Sequence, residues 1–171
     1  MVGHRIRFEH YQDYLQTLAR ALLERLGDAL LAIVLYGSVA RGTASTASDI
    51  DLLIVQRQPP SSYYERLAPV LAVERALRDC EALHTLVREG FCPYVSFLLL
   101  STEEARENRY IFLDMVEEAI VLYEQDGFFT KRLAELRHRL QELGAKRLVL
   151  PDGSWYWDLK PDLVVGEVFE L

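Results

Sequence analysis

The sequence predicts an α/β (α+β) fold, a β-sheet flanked by helices that continues into a C-terminal helix and β-hairpin. Three observations carry that expectation. Two short apolar runs, at 30–36 and 52–55, have the length of buried strands rather than helices. Between and around them lie stretches with apolar residues at three- and four-residue steps, the period of a helix with one buried face. The chain has 171 residues, half of them apolar, enough to bury one core of ordinary size, so residues 1–171 read as a single domain. Within it, residues 30–100 form the motif-bearing core and residues 101–171 an extension.

In order, residues 8–26 repeat Tyr11, Leu15, Leu18, Leu22 and Leu26 along one helical face, with Gly27 as a C-cap. Leu30 to Tyr36 is the first core strand, and it stops at Gly37-Ser38. Residues 48–55 begin acid, apolar, acid and then become uniformly apolar, as a second core strand does. Pro59-Pro60-Ser61-Ser62 breaks regular structure ahead of one helix over 63–89, closed by Gly90. Tyr94 to Leu100 is the next strand. Ser101 followed three residues later by Glu104 is a capping box that starts another helix. Residues 111–116 read as helix and 119–123 as strand, with an open boundary near Glu118. Residues 128–143 form an amphipathic helix closed by Gly144. Residues 147–150 and 154–159 flank Pro151-Asp152-Gly153 as a hairpin with Trp155 and Trp157 on one face. Glu167 and Glu170 are expected to face solvent along a short final strand.

The chemistry concentrates in two places. At Gly37 the missing side chain lets backbone approach a ligand closely, and amides near Ser38 and Val39 at a helix start favour an anionic phosphate. Arg41 adds positive charge there, either toward a phosphate or as a helix residue paired with an acid. Asp49 and Asp51, two residues apart on a strand, fall on one face and supply the hard oxygen ligands that Mg²⁺ prefers. Alone, Asp-x-Asp equally describes a solvated strand start or an Asx-turn. The Gly-Ser step one strand earlier favours the metal reading.

Net charge of −7 and a pI near 5.1 argue against a broad surface for nucleic acid. Cys80 and Cys92 have no metal-ligand spacing and make no disulfide framework. His4, His10, His84 and His138 form no metal motif. Residues 1–7 lack an apolar signal core and no apolar run approaches membrane-crossing length, so a cytoplasmic protein without membrane contact is expected. Trp155-Tyr156-Trp157 with Lys160 either stacks a ring or seals a core edge.

The block Gly37-Ser38-Val39-Ala40-Arg41-Gly42, followed by Ser48-Asp49-Ile50-Asp51-Leu52-Leu53-Ile54, resembles the minimal nucleotidyltransferases of the DNA polymerase β-like superfamily, firmly over residues 30–55. The resemblance implies a mixed, nucleotidyltransferase-like sheet and transfer of a nucleoside monophosphate from a nucleoside triphosphate, ATP by family, to a hydroxyl, with pyrophosphate leaving. It implies Mg²⁺ as cofactor, Asp49 and Asp51 as catalytic metal ligands, and Gly37, Ser38 and Arg41 as nucleotide-binding residues. It suggests an acceptor hydroxyl on a small helical partner of the HEPN class, as in toxin-antitoxin pairs, ahead of a small hydroxyl compound or RNA. Members of this superfamily commonly carry a third carboxylate on a later strand, yet residues 93–100 contain no acid. Ser96 takes the place, while Glu103 and Glu104 lie just beyond, as capping residues or as acids reaching inward. That departure keeps two alternatives open: a nucleotide- or partner-binding module of the same fold, and a structural or oligomer-forming protein. The acceptor, the nucleotide and the oligomeric state are left open by the sequence.

Overall fold

The computed structural model describes residues 8–171, so the expectations on residues 1–7 and on His4 lie outside the described residues. Helix α1 spans Phe8–Leu26 and passes through a single tight turn at Gly27–Ala29 into strand β1, Leu30–Tyr36. A one-turn helix α2, Gly37–Arg41, leads to β2, Ile50–Gln56. Helices α3, Tyr63–Ala76, and α4, Glu81–Arg88, precede β3, Val95–Ser101. Then come α5, Thr102–Arg106; α6, Tyr110–Glu118; β4, Ile120–Glu124; and α7, Phe128–Glu142. Strands β5, Lys146–Val149, and β6, Trp155–Asp158, form a separate antiparallel hairpin.

The main sheet is mixed, in the order β3-β2-β1-β4, with β2 and β3 parallel and the other neighbours antiparallel. Both central strands are buried on both faces, which explains why they read as continuous apolar runs. Ile33, Leu35, Leu52 and Ile54 pack against Leu15, Leu18 and Leu22 of α1 and Val70 of α3. On the other face Ala32, Val34, Leu53 and Val55 pack against Phe112 of α6 and Phe129 of α7. Each such leucine contributes roughly 1.5–3 kcal/mol of apolar burial before entropy is counted.

Two expectations are corrected. The single helix over 63–89 is two, broken at residues 77–80. A straight helix of that length would run ~40 Å, well past strands of ~23 Å. The break lets Val70 and Val73 of α3 and Leu86 of α4 all reach the same core. Second, no strand forms around Glu167 and Glu170; that stretch is irregular, and Glu167 pairs with Lys160 at 3.3 Å.

The capping box forms as expected. The Ser101 hydroxyl accepts from the Glu104 amide at 3.1 Å, and the Ser101 amide donates to Glu104 Oε2 at 2.6 Å. Cys80 and Cys92 are free thiols, and no described helix is long and apolar enough to cross a membrane.

Candidate active site

The site is built where β1 ends. Tyr36 is extended, and Gly37 then turns into the left-handed region at φ +73° before the chain enters α2. Antiparallel pairing sets Tyr36 opposite Asp51, so the turn at Gly37 lies directly over the Asp51 side chain. A Cβ at position 37 would stand 2.2 Å from Asp51 Oδ2, a distance that only glycine avoids. The Gly-Ser bend and the second acid are therefore in contact.

Asp49 lies one residue before β2, exposed, with the Cys92 thiol 3.8 Å from its Oδ1. The Ile50 amide donates to the Tyr94 carbonyl at 2.9 Å and fixes the start of the strand. Asp51 is half-buried, and its pKa is raised, first by burial and then by the charge of Asp49, with Arg41 acting in the opposite sense. The Tyr36 phenol is pushed up to about 12, mainly by burial, then by Asp51 and Tyr63. Among the described residues no group of three or more His, Cys, Asp or Glu is placed to hold a metal ion. Two hard carboxylates with mutual repulsion and a glycine-lined approach do fit a divalent cation whose remaining positions are filled by phosphate oxygens and water.

Arg41 lines a cavity of about 160 Å³ together with Tyr36, Gly37, Asp114 and Glu118. Its Nη1 donates to Glu118 Oε2 at 3.1 Å, and Arg147 Nη1 reaches Glu118 Oε1 at 2.6 Å. Both guanidiniums stack on the Trp155 ring, at 4.6 and 4.4 Å from its centroid. The indoles of Trp155 and Trp157 both donate to Asp114 Oδ1, at 2.9 and 3.2 Å. The hairpin thus clamps α6 and, through Arg41, the helix that follows the bend. Asp114, Glu118 and Arg147 were not singled out from the sequence. The available signal was the i, i+4 pair of acids, Asp114 and Glu118, on a helix read as ending at Val116.

The later-strand acid is answered by register. Asp51 pairs with Ser96, whereas Ser101 pairs with Gln56 at the far end of the sheet. Glu103 and Glu104 follow Ser101, so at least five strand residues, ~17 Å, separate them from Asp51. Glu104 is also held by Arg66 at 2.6 Å, and hydrogen bonds from the Ser101 amide and Arg66 keep its carboxyl below the usual range. Glu104 is a structural cap, and neither acid completes the pair.

Compared with known proteins, the chain matches the family model described as nucleotidyltransferase domain over residues 15–146. A relative from Methanocaldococcus jannaschii, provisionally named a protein adenylyltransferase, is 27% identical over 116 residues, covering 67% of this chain and 72% of the relative. Among solved structures, a toxin-antitoxin with AMP-PNP is 17% identical, covering 75% of this chain and 92% of that one at a TM-score of 0.46. A tri-AMPylated Shewanella oneidensis HEPN toxin in complex with an MNT antitoxin matches at 15% identity, 78% and 92% coverage, and a TM-score of 0.44.

Proposed function

The chain belongs to the nucleotidyltransferase domain family, and from that premise we propose that it moves AMP from ATP onto a hydroxyl of a partner protein, with Asp49 and Asp51 as the catalytic carboxylates. The observation that carries this reading is the packing of Gly37 against the Asp51 carboxylate, which sets the bend and the second acid in contact. Gly37 and Ser38 cradle the triphosphate, and Arg41, whose guanidinium is held by Glu118, adds positive potential beside the bend. Asp49 and Asp51 would hold Mg²⁺, which when bound neutralises the phosphate charge that grows as pyrophosphate departs.

The chain's own contribution is positioning and electrostatics, which dominate phosphoryl transfer. The acceptor hydroxyl oxygen attacks the α-phosphorus, its proton passes to solvent water, and the bond to the pyrophosphate oxygen breaks on the opposite side. Ser96 beside Asp51 is no proton acceptor at neutral pH, so the acids orient and polarise without a dedicated third base. A protein acceptor is supported by the relative from Methanocaldococcus jannaschii, which is named for protein adenylylation. A small helical partner of the HEPN class is the acceptor we assign, within a cytoplasmic toxin-antitoxin pair.

The test is incubation of the full chain with Mg²⁺, α-labelled ATP and host proteins. Label on a protein, abolished by Asp49→Asn or Asp51→Asn, is the expected result. Label confined to RNA or to a small compound overturns the acceptor. Ser96 in the register position beside Asp51 favours one second reading, a binding module. Nucleotide-dependent thermal stabilisation without pyrophosphate release would establish it.

A further inference from the structure

At the end of the sheet remote from Gly37, a cavity of about 320 Å³ opens among the ends of β1, β2, β3 and β4 and the first turns of α5 and α7. Four cations line it, Arg57, Arg106, Lys131 and Arg132, against two acids, Asp126 and Glu135. This local excess of positive charge stands out in a chain of net charge −7.

The way those cations are held matters more than their number. Arg57 Nη2 donates to the neutral Gln125 Oε1 at 3.0 Å, and Lys131 Nζ to the backbone carbonyl of Asp126 at 2.8 Å. Among the described residues Arg57, Arg106 and Lys131 enter no ion pair. Neutral acceptors thus fix the direction of two side chains while leaving their charge uncompensated. Arg132 is only 9% exposed; it donates to Asn108 Oδ1 and lies 3.9 Å from a largely exposed Glu135 carboxylate. Its Nε is buried away from solvent, so Arg132 contributes charge to the cavity wall rather than an open N–H. Leu31 and Phe128 add an apolar wall.

We propose that this cavity is a second ligand site, distinct from the one at Gly37, that binds a small phosphorylated anion. Its volume lies at the lower end of small-molecule pockets, and oriented guanidiniums on neutral acceptors match phosphate oxygens bidentately. Leu31 lies near the start of β1 and Tyr36 at its end, so the sites are ~17 Å apart along one strand. The site does not depend on the catalytic reading, because none of its residues belongs to the bend or the acid pair.

Inorganic pyrophosphate in the presence of EDTA is the probe, since without a divalent cation Asp49 and Asp51 repel it. Calorimetric titration of the full chain at low salt is expected to give saturable binding that weakens as KCl is raised. Arg106→Gln with Lys131→Gln, both exposed positions whose substitution should leave the melting temperature unchanged, should lower the affinity at least ~10-fold. Asp49→Asn and Asp51→Asn should leave the site intact. Absence of saturable binding up to millimolar pyrophosphate overturns the proposal. So does binding that survives the Arg106/Lys131 pair but is lost in Arg41→Gln, which would put the anion at the bend. A single-stranded oligonucleotide that binds more tightly through the same residues would overturn the assignment to a small molecule.

Discussion

Two groups of carboxylates meet where β1 ends, and the protein treats them in opposite ways. Glu118 receives two arginines, at 3.1 and 2.6 Å, both stacked on one indole. Asp51 lies beneath the bend at Gly37 with a second acid, Asp49, as its electrostatic neighbour and no ion pair of its own among the described residues. Arg41 is near enough to lower the pKa of Asp51, yet its guanidinium is committed to Glu118. A fold selected only for stability would send one of these cations to the acids. Full compensation of Glu118 beside an uncompensated Asp51 marks one as architecture and the other as a place that takes its positive charge from outside the chain.

The comparison breaks most sharply on activity. Asp51→Asn should lower pyrophosphate release from ATP by ~10³-fold or more, because the carboxylate charge acts where transition-state charge develops. Glu118→Gln, which keeps the shape but frees Arg41 and Arg147, should cost no more than ~10-fold, through looser positioning. Steady-state rates for the two variants side by side decide it. Equal losses would mean that Glu118 belongs to the chemistry.

Gly37→Ala should come next. The new methyl group falls 2.2 Å from Asp51 Oδ2, and φ of +73° is strained for any side chain. We expect activity to fall ~10²-fold as Asp51 is displaced, with a stability loss of about 1–2 kcal/mol. A melting curve and the same rate assay check both. Near-native turnover would separate the bend from the acids and remove the main support for a shared site.

On stability the order reverses. Glu118→Ala leaves two guanidiniums without their carboxylate and loosens the hairpin. It should destabilise the chain by ~1–3 kcal/mol, below the range for fully buried pairs because these side chains keep partial exposure. Urea melts are the measurement. A change below ~0.5 kcal/mol would mean that the Trp155 and Trp157 bonds to Asp114 hold the hairpin alone.

The legibility of the two regions from sequence differs for the same physical reason. Tyr36, Gly37, Asp49 and Asp51 come from adjacent segments of two neighbouring strands. A strand reading of 30–36 and 48–55 is enough to bring them together, and the Ser101–Glu104 cap is local in the same way. Glu118 meets Arg41 across 77 residues of chain, and Arg147 arrives from a hairpin outside the main sheet. No periodicity encodes such contacts. The four cations of the remote cavity come from the ends or flanks of β2, α5 and α7, which only the strand order gathers. The break between α3 and α4 was illegible because helical spacing continues through Ala76 and Leu77, and the limit on helix length is set by the sheet it must cover.

The smallest effect is the most diagnostic of uncompensated charge. The folded-state pKa of Asp51 is raised, by burial and by Asp49, so the native chain binds its proton more tightly than the unfolded chain does. Below the unfolded carboxylate value the group is protonated in both states and costs nothing. As pH rises through that value toward the folded one, the native state bears a penalty, which then stays constant to neutral pH. Asp51→Asn removes the penalty, so without divalent cation this variant should melt at a slightly higher temperature than the native chain at pH 7, by about 1–3 °C. The gain should vanish near pH 3. Added Mg²⁺ with a non-hydrolysable ATP analogue should stabilise the native chain and not the variant, inverting the order. Thermal melts over that pH range, with and without the ligand pair, give the result. A variant less stable than the native chain at pH 7 without ligand would show that Asp51 is already compensated within the fold, like Glu118.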